Sequence, residues 1–278
     1  MPDVLTAALT TPTGSVPIPR IGFGVWQVPD DEVEAAVAAA LRAGYRHVDT
    51  ARLYGNEAGV GRALASSDVP PDEVFVTTKV WNDDHGRDAT LAAFDASLRR
   101  LGLETLDLFL IHWPAPRQDR YVETWQALRE LRDEGRVRAI GVCNFHAPHL
   151  QRLHDETGEW PSINQVELHP YLQQVPLRAF HDDHGIVTES WSPLASGKRV
   201  LDDPVIGRIA ERHDATPAQV VIAWHLALGL VVLPKSVTPS RIVENLAASD
   251  LRLSGEELAE IGGLDRGFRT GPDPDTFG

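Results

Sequence analysis

Eight short apolar runs, each followed by a turn and then in most cases by a helical pattern, constrain this chain more than any other feature. The runs are IGFGVW (21–26), YRHVDT (45–50), VFVTTKV (74–80), LDLFLIHW (106–113), VRAIGVCN (137–144), SINQVEL (162–168), GIVTESW (185–191) and GLVVLPK (229–235). They are strand-sized and rich in Val, Ile, Leu and Phe, as parallel strands covered on both faces must be. Helical stretches stand between or after them. DEVEAAVAAALRAG (31–44) has acidic residues at its start and Gly at its end, and TPAQVVIAWHLALG (216–229) has a Thr cap followed by Pro. Segments 89–102, 121–135, 240–249 and 254–263 carry similar signals. Eight strands alternating with helices predict an α/β fold whose parallel sheet closes into a (β/α)8 TIM barrel.

A doubly wound open sheet is the competing architecture, and its dinucleotide site calls for G-x-G-x-x-G after a strand. GFGVWQ (22–27) and GVGRAL (59–64) come nearest, and both lack the third glycine. The chain has 278 residues, close to the roughly 250 that such a barrel takes. No linker or low-complexity segment interrupts it, which predicts one domain over 1–278. LTTPTGSVPI (9–18) reads as a β-hairpin turning at Thr13-Gly14 and capping the barrel bottom. GFRTGPDPDTFG (267–278), rich in Gly and Pro, reads as a short, loose C-terminal tail.

The balance of 40 acidic against 26 basic residues gives a formal net charge of −14, which repels polyanions and excludes nucleic acid as the expected partner. Cys143 is the only cysteine, so no internal disulfide forms, in keeping with a reducing cytoplasm. No secretory leader opens the sequence and no run reaches 18 apolar residues, so no membrane span is expected. HDDH (181–184) matches no zinc spacing and reads as a solvated polar face; no metal is expected.

In such barrels chemistry collects at the C-terminal ends of the strands. Those ends carry Trp26, Asp49 with Tyr54 just beyond, Lys79 with Trp81, His112 with Trp113, Asn144, Gln165, Trp191 with Ser192, and Lys235 with Ser236. The only lysines are Lys79, Lys198 and Lys235 in a chain that otherwise uses arginine, so a retained lysine marks a position where the planar guanidinium does not serve. Lys79 needs a partner if buried, and Asp49 on the neighbouring strand is the natural one. A lysine charge beside Tyr54 would lower the phenol's pKa and make it a better general acid. His112 can donate to a substrate oxygen. Taken singly, the plainer reading of each is a structural ion pair, a loop aromatic and a core histidine; together they suit a carbonyl that accepts hydride and then a proton.

HVDTARLYGNE (47–57), VTTKVWND (76–83), LIHWP (110–114) and LPKSVTPSRIVEN (233–245) resemble the aldo-keto reductase signatures, in order and spacing, over about residues 16–265. The branch they resemble most is the short bacterial one that includes 2,5-diketo-D-gluconate reductases. The resemblance implies a monomeric, NADPH-dependent reductase of aldehydes or ketones with a catalytic tetrad of Asp49, Tyr54, Lys79 and His112, Tyr54 being the acid. It implies that Asn144 and Gln165 hold the nicotinamide carboxamide and Trp191 stacks on the ring. Ser192, Pro193, Leu194 and Ser196 would cover the pyrophosphate. Lys235, Ser236, Thr238 and Arg241 would grip the 2′-phosphate, with Glu244 and Asn245 on the adenine side. A lysine, two hydroxyl residues and an arginine before a helix independently read as a phosphate cradle. Family members commonly have Ser where Cys143 stands, and a thiol is the weaker donor. Trp26, Trp81 and Trp113 would wall the substrate pocket, left open by the short tail. Two rival readings stay open: a lyase forming a Schiff base at Lys79, and a cofactor-binding redox sensor with little turnover.

Overall fold

The computed structural model describes residues 4–197 and 199–278; Lys198 therefore lies outside the described residues. Strands β3 (Phe23–Gly24), β4 (His47–Asp49), β5 (Phe75–Val80), β6 (Leu106–Ile111), β7 (Val137–Cys143), β8 (Ile163–Glu167), β9 (Val187–Trp191) and β10 (Val231–Val232) pair in parallel in chain order. The seam between first and last is closed by a parallel bridge, Ile21 to Val232, with the Gly22 N–H donating to Val232 O at 2.9 Å. Gly22 is required there, because a Cβ would stand 2.5 Å from both His47 Nδ1 and Leu233 Cδ2. The expected barrel is thus the observed one.

Strand parity divides the side chains into two cores. Outward residues such as Val76, Val80, Phe109, Ile111, Ile140 and Val142 pack against the helices. Inward residues Phe75, Leu108, Leu110, Ala139 and Ile163 fill the barrel floor with Leu9, Val16 and Ile18 of the hairpin. That hairpin, β1 (Thr6–Thr11) and β2 (Gly14–Pro19), pairs Thr11 with Gly14, so its turn is Pro12-Thr13, one residue before the expected Thr13-Gly14. It plugs the bottom as expected, and the Ser162 hydroxyl before β8 donates to Thr10 O.

The outer layer holds α1 (Asp30–Ala43), α2 (Glu57–Ala65), α3 (Arg87–Leu101), α4 (Tyr121–Asp133), α5 (Ala147–Thr157), α6 (Val175–His184), α7 (Pro204–Arg212), α8 (Pro217–Ala227), α9 (Pro239–Ala247) and α10 (Gly255–Gly262). In α1, Val33, Val37, Ala40 and Leu41 form the buried stripe, each Val or Leu contributing ~1.5–3 kcal/mol on burial. Gly44, at φ 113°, ends the helix by donating to the Ala40 and Leu41 carbonyls. The start and stop signals did not mark α2, α5, α6 and α7. In α2 two glycines weaken the pattern; α5 buries only Leu150 and Leu153. His181 of α6 is not on a solvated face: it is buried, and bonds Thr188 Oγ1 at 2.8 Å and Asn164 Nδ2 at 3.0 Å, while Asp182 and Asp183 are exposed.

The tail differs from expectation. It is fastened at four points rather than loose. The Arg266 guanidinium lies over the Tyr171 ring at 3.4 Å, and the Phe268 N–H donates to Tyr171 O at 2.9 Å. Glu167 accepts from the backbone N–H of Thr270 (2.6 Å) and of Gly271 (3.0 Å). Asp275 pairs with His146 Nδ1 at 2.7 Å, and Phe277 packs on Trp113 with ring centroids 4.5 Å apart. Gly271 runs so close to Trp191 that a Cβ would meet the indole at 2.6 Å.

Candidate active site at the barrel mouth

Asp49 ends β4 and Lys79 lies at the inward register of β5, so neighbouring parallel strands deliver both to one layer of the barrel. Lys79 Nζ donates to Asp49 Oδ1 and Oδ2 at 2.7 and 2.8 Å and to Thr50 O at 2.9 Å, and stands 3.4 Å from Tyr54 OH. Lys79 is wholly buried. Burial opposes its charge, but Asp49 and the Tyr54 oxygen together outweigh that, and the ammonium keeps its proton above the usual lysine range.

Tyr54 sits in a one-turn helix at Arg52–Tyr54, ended by Gly55 at φ 68°. The loop is braced from behind by buried Asn56, which donates to Val25 O and Val28 O (3.0 and 2.9 Å) and accepts from Thr50 Oγ1 (2.8 Å). The expected drop in the Tyr54 pKa does not occur. Burial of the phenol pushes it up by more than Lys79 pulls it down, so Tyr54 stays protonated throughout the neutral range. His112, just past β6, packs edge-on to Tyr54 with centroids 5.7 Å apart. Burial first, then the Lys79 charge, hold its imidazole neutral, and its Nδ1 has no partner among the described residues.

Gln165 points into the same layer from β8: its Nε2 donates to Asp49 Oδ2 at 2.9 Å. Asn144, in the left-handed region at φ 64°, donates to His112 O (3.0 Å) and accepts from Trp191 Nε1 (2.8 Å). Cys143 is buried between them; its thiol is pushed well up by burial, accepts from Asn144 Nδ2 at 3.1 Å and stands 3.6 Å from Gln165 Oε1. Tyr54, His112, Asn144, Gln165 and Trp191 are thereby brought to one end of the barrel.

The rim is different in kind. Ser192, Ala195 and Ser196 all have φ between 47° and 54°, and Gly197 has φ 70°. These residues form a tight turn in which the Ala195 N–H donates to Ser192 O at 2.8 Å and the Gly197 N–H to Leu194 O at 2.9 Å. Pro193 is buried and Leu194 partly so. Lys235, Thr238 and Arg241, at the entry to α9, are exposed, and neither cation pairs with a carboxylate among the described residues. Ser236 is buried and accepts from the Thr238 N–H at 3.1 Å. Glu244 is partly engaged, accepting from Thr216 Oγ1 at 2.8 Å, while the nearby Asn245 is buried.

Trp26 is 47% exposed and its ring centroid lies 4.7 Å from that of Tyr54. Trp81 packs edge-on to His112 at 5.1 Å, and Trp113 is 6% exposed. Phe277 lies against both Trp113 and Trp81, so the tail roofs a pocket expected to be open. Three residues of this site escaped the sequence reading: Phe277, Glu167 and Glu189. The last two had a usable signal, since each shares the inward parity of Gln165 or Trp191 two positions away. His146, Asp273 and Asp275 are the group close enough to share a cation among the described residues; they are exposed or half-exposed.

The Aldo/keto reductase family model matches residues 20–266. The chain is 56% identical over 260 residues to an aldo-keto reductase of Mycolicibacterium smegmatis, covering 94% of each. It is 55% identical over 262 residues to methylglyoxal reductase DkgA of Escherichia coli, again covering 94% of each. A crystal structure of a Gox0644 mutant in complex with NADPH superposes with TM-score 0.92 at 50% identity, covering 98% of both chains. The chain belongs to the Aldo/keto reductase family and is an oxidoreductase.

Proposed function

We propose that this protein reduces small aldehydes and ketones with NADPH, and that a dicarbonyl of the methylglyoxal type is among its substrates. The observation that carries the reading is the buried Lys79–Asp49 pair standing 3.4 Å from a protonated Tyr54 beside a neutral His112. The residues at the rim fit the cofactor. Ser192, Pro193, Leu194 and Ser196, in the turn after β9, would cover the pyrophosphate, and Lys235 and Arg241, unpaired among the described residues, with Ser236 and Thr238, suit a 2′-phosphate. Glu244 and Asn245, further along α9, would contact the adenine side. Asn144 and Gln165 would hold the carboxamide, with Trp191 against the ring. When bound, NADPH supplies the hydride.

The chain's own residues do the rest. Trp26, Trp81, Trp113 and Phe277 wall the carbonyl and exclude water. His112, neutral, donates to the carbonyl oxygen and orients it. As that oxygen gains charge it becomes more basic than a phenolate, and Tyr54 transfers its proton to it. Lys79 steadies the phenolate that remains, and Asp49 keeps Lys79 charged and in place. A Schiff base at Lys79 is not favoured, because its N–H groups are committed to Asp49 and Thr50 O and its amine stays protonated. We read the chain as one domain acting as a cytoplasmic monomer, supported by a tail that completes the pocket from within the same chain and by the single buried thiol.

The test is NADPH consumption followed by absorbance with methylglyoxal, simple aldehydes, ketones and diketo acids, comparing wild type with Tyr54→Phe. Turnover that falls at least about a hundredfold in the variant, with NADPH binding retained, is expected. Tight NADPH binding with no turnover of any carbonyl would favour the sensing reading.

A further inference from the structure

Glu189 is wholly buried, and nothing in the mechanism above uses it. It lies on β9 two residues before Trp191, and its side chain enters the barrel directly beneath the mouth. Glu189 Oε2 accepts from Gln165 Nε2 at 2.8 Å, and the same nitrogen donates to Asp49 Oδ2 at 2.9 Å. One amide nitrogen has two hydrogens, so the two carboxyl groups consume both. Glu189 Oε1 is buried without a hydrogen-bond partner among the described residues, and faces His47 Nε2 at 3.9 Å.

We propose that Glu189 is a proton-bearing positioning residue of this site: its neutral carboxyl group fixes the Gln165 amide from below and keeps a second negative charge away from the Asp49–Lys79 pair.

The charges around it require this. From β4 it is faced by Asp49 and His47, from β5 by Lys79, from β7 by Cys143 and from β8 by Gln165. The facing residues of β10 and of the plug hairpin carry no titratable group. Among the described residues Lys79 is the one cation facing it, and its hydrogens go to Asp49 and Thr50 O, none to Glu189. His47 gives no second cation. Burial drives its pKa down to about 4, and its ring is occupied by Thr77 Oγ1 (3.1 Å) and Pro19 O (3.3 Å). A second carboxylate here would be buried with one neutral hydrogen bond, next to a like charge, which is the costly arrangement. Burial first, then Asp49, push the Glu189 carboxyl up to about 8. Oε2 is the acceptor from Gln165, which leaves Oε1 as the oxygen for the proton.

Two consequences follow. With both Nε2 hydrogens directed inward, Gln165 presents Oε1, whose neighbour is the Cys143 thiol, as an acceptor for a carboxamide N–H. Loss of the Glu189 proton would add a negative charge behind Asp49. That charge offsets the help Lys79 gives the Tyr54 phenolate, so proton donation slows as Glu189 ionises. This second consequence rests on the reading of Tyr54 as the acid; the first does not.

The experiment has two arms. Infrared difference spectra of the cofactor-free protein between pH 6.5 and 9.5 should show loss of a protonated-carboxyl band with a midpoint near pH 8, absent in Glu189→Gln. In parallel, kcat and KM for reduction are measured across the same range. Wild-type kcat should fall between pH 7 and 9, by up to about tenfold, as proton donation slows with the ionisation of Glu189. In Glu189→Gln that fall should move at least one pH unit alkaline, with KM for NADPH changing less than kcat. No protonated-carboxyl band in wild type, or an unmoved kcat limb in the variant, overturns the proposal. The wild-type spectrum decides the protonation even where the variant fails to fold. A band lost near pH 8 in a protein that reduces no carbonyl would sustain the neutral Glu189 and overturn the reductase reading instead.

Discussion

Asp49, Lys79, Gln165 and Glu189 are closed to solvent and bonded to one another, whereas Lys235, Thr238 and Arg241, on the rim, are exposed and hold little of the protein together. The first group has its geometry before any ligand arrives. That suits residues that must stabilise charge at a reacting atom without reorganising. The second group is a set of unspent donors and cations, which suits residues that hold a ligand by contacts made only on binding. A substitution in the interior should therefore damage folding and chemistry together, and one on the rim should damage affinity alone.

The largest effect that would break this contrast is on stability. Lys79→Met leaves Asp49 buried without its cation, which costs about 3–5 kcal/mol. Urea unfolding should show a midpoint shift of that size and activity should vanish. Adding Asp49→Asn should restore part of the stability and none of the activity, because the uncompensated charge is gone but the phenolate has lost its support. A Lys79→Met protein as stable as wild type would mean that the interior network is not closed.

On the rim, Arg241→Ala should raise KM for NADPH about tenfold or more, the loss of one charge-assisted bond worth ~1.5–3 kcal/mol. KM for NADH and the unfolding midpoint should not move. Equal losses with both cofactors would remove Arg241 from the 2′-phosphate. Any large drop in stability would erase the distinction between rim and interior.

The two regions also differ in how far they could be read from sequence. The strand exits were legible because parity and chain order place Asp49, Lys79, His112, Asn144, Gln165 and Trp191 at one end of any parallel barrel. The proposed phosphate cradle was legible because Lys235 to Arg241 are local. Two things were not. The Tyr54 shift has a local contribution, Lys79, that points down, and a tertiary one, burial, that points up and is larger; only the folded chain sets the second. The tail is Gly- and Pro-rich and carries no pattern of its own. Its order comes from partners more than ninety residues away, Glu167 and Tyr171 at the barrel and His146 and Trp113 beyond them. Glu167, buried, works against its own burial: His169 and the N–H groups of Thr270 and Gly271 hold its carboxyl below the usual range.

That tail supplies the smallest and most discriminating prediction. Phe277 belongs to neither region: it comes from a segment pinned by buried Glu167, yet its ring lies against Trp113 and Trp81, the proposed walls of the substrate pocket. If it acts like the interior, Phe277→Ala should destabilise the fold. If it acts like the rim, it should alter ligand affinity alone. An aromatic contact of this kind is worth ~0.5–1.5 kcal/mol beyond the area buried. Since Glu167, Tyr171 and His146 still hold the tail without it, we expect rim behaviour. KM for apolar aldehydes should rise several-fold, that for methylglyoxal should change little, and the unfolding midpoint should stay put. A shifted midpoint with unchanged KM values would instead make Phe277 a structural clasp and return the pocket to the open form its Gly- and Pro-rich tail first suggested.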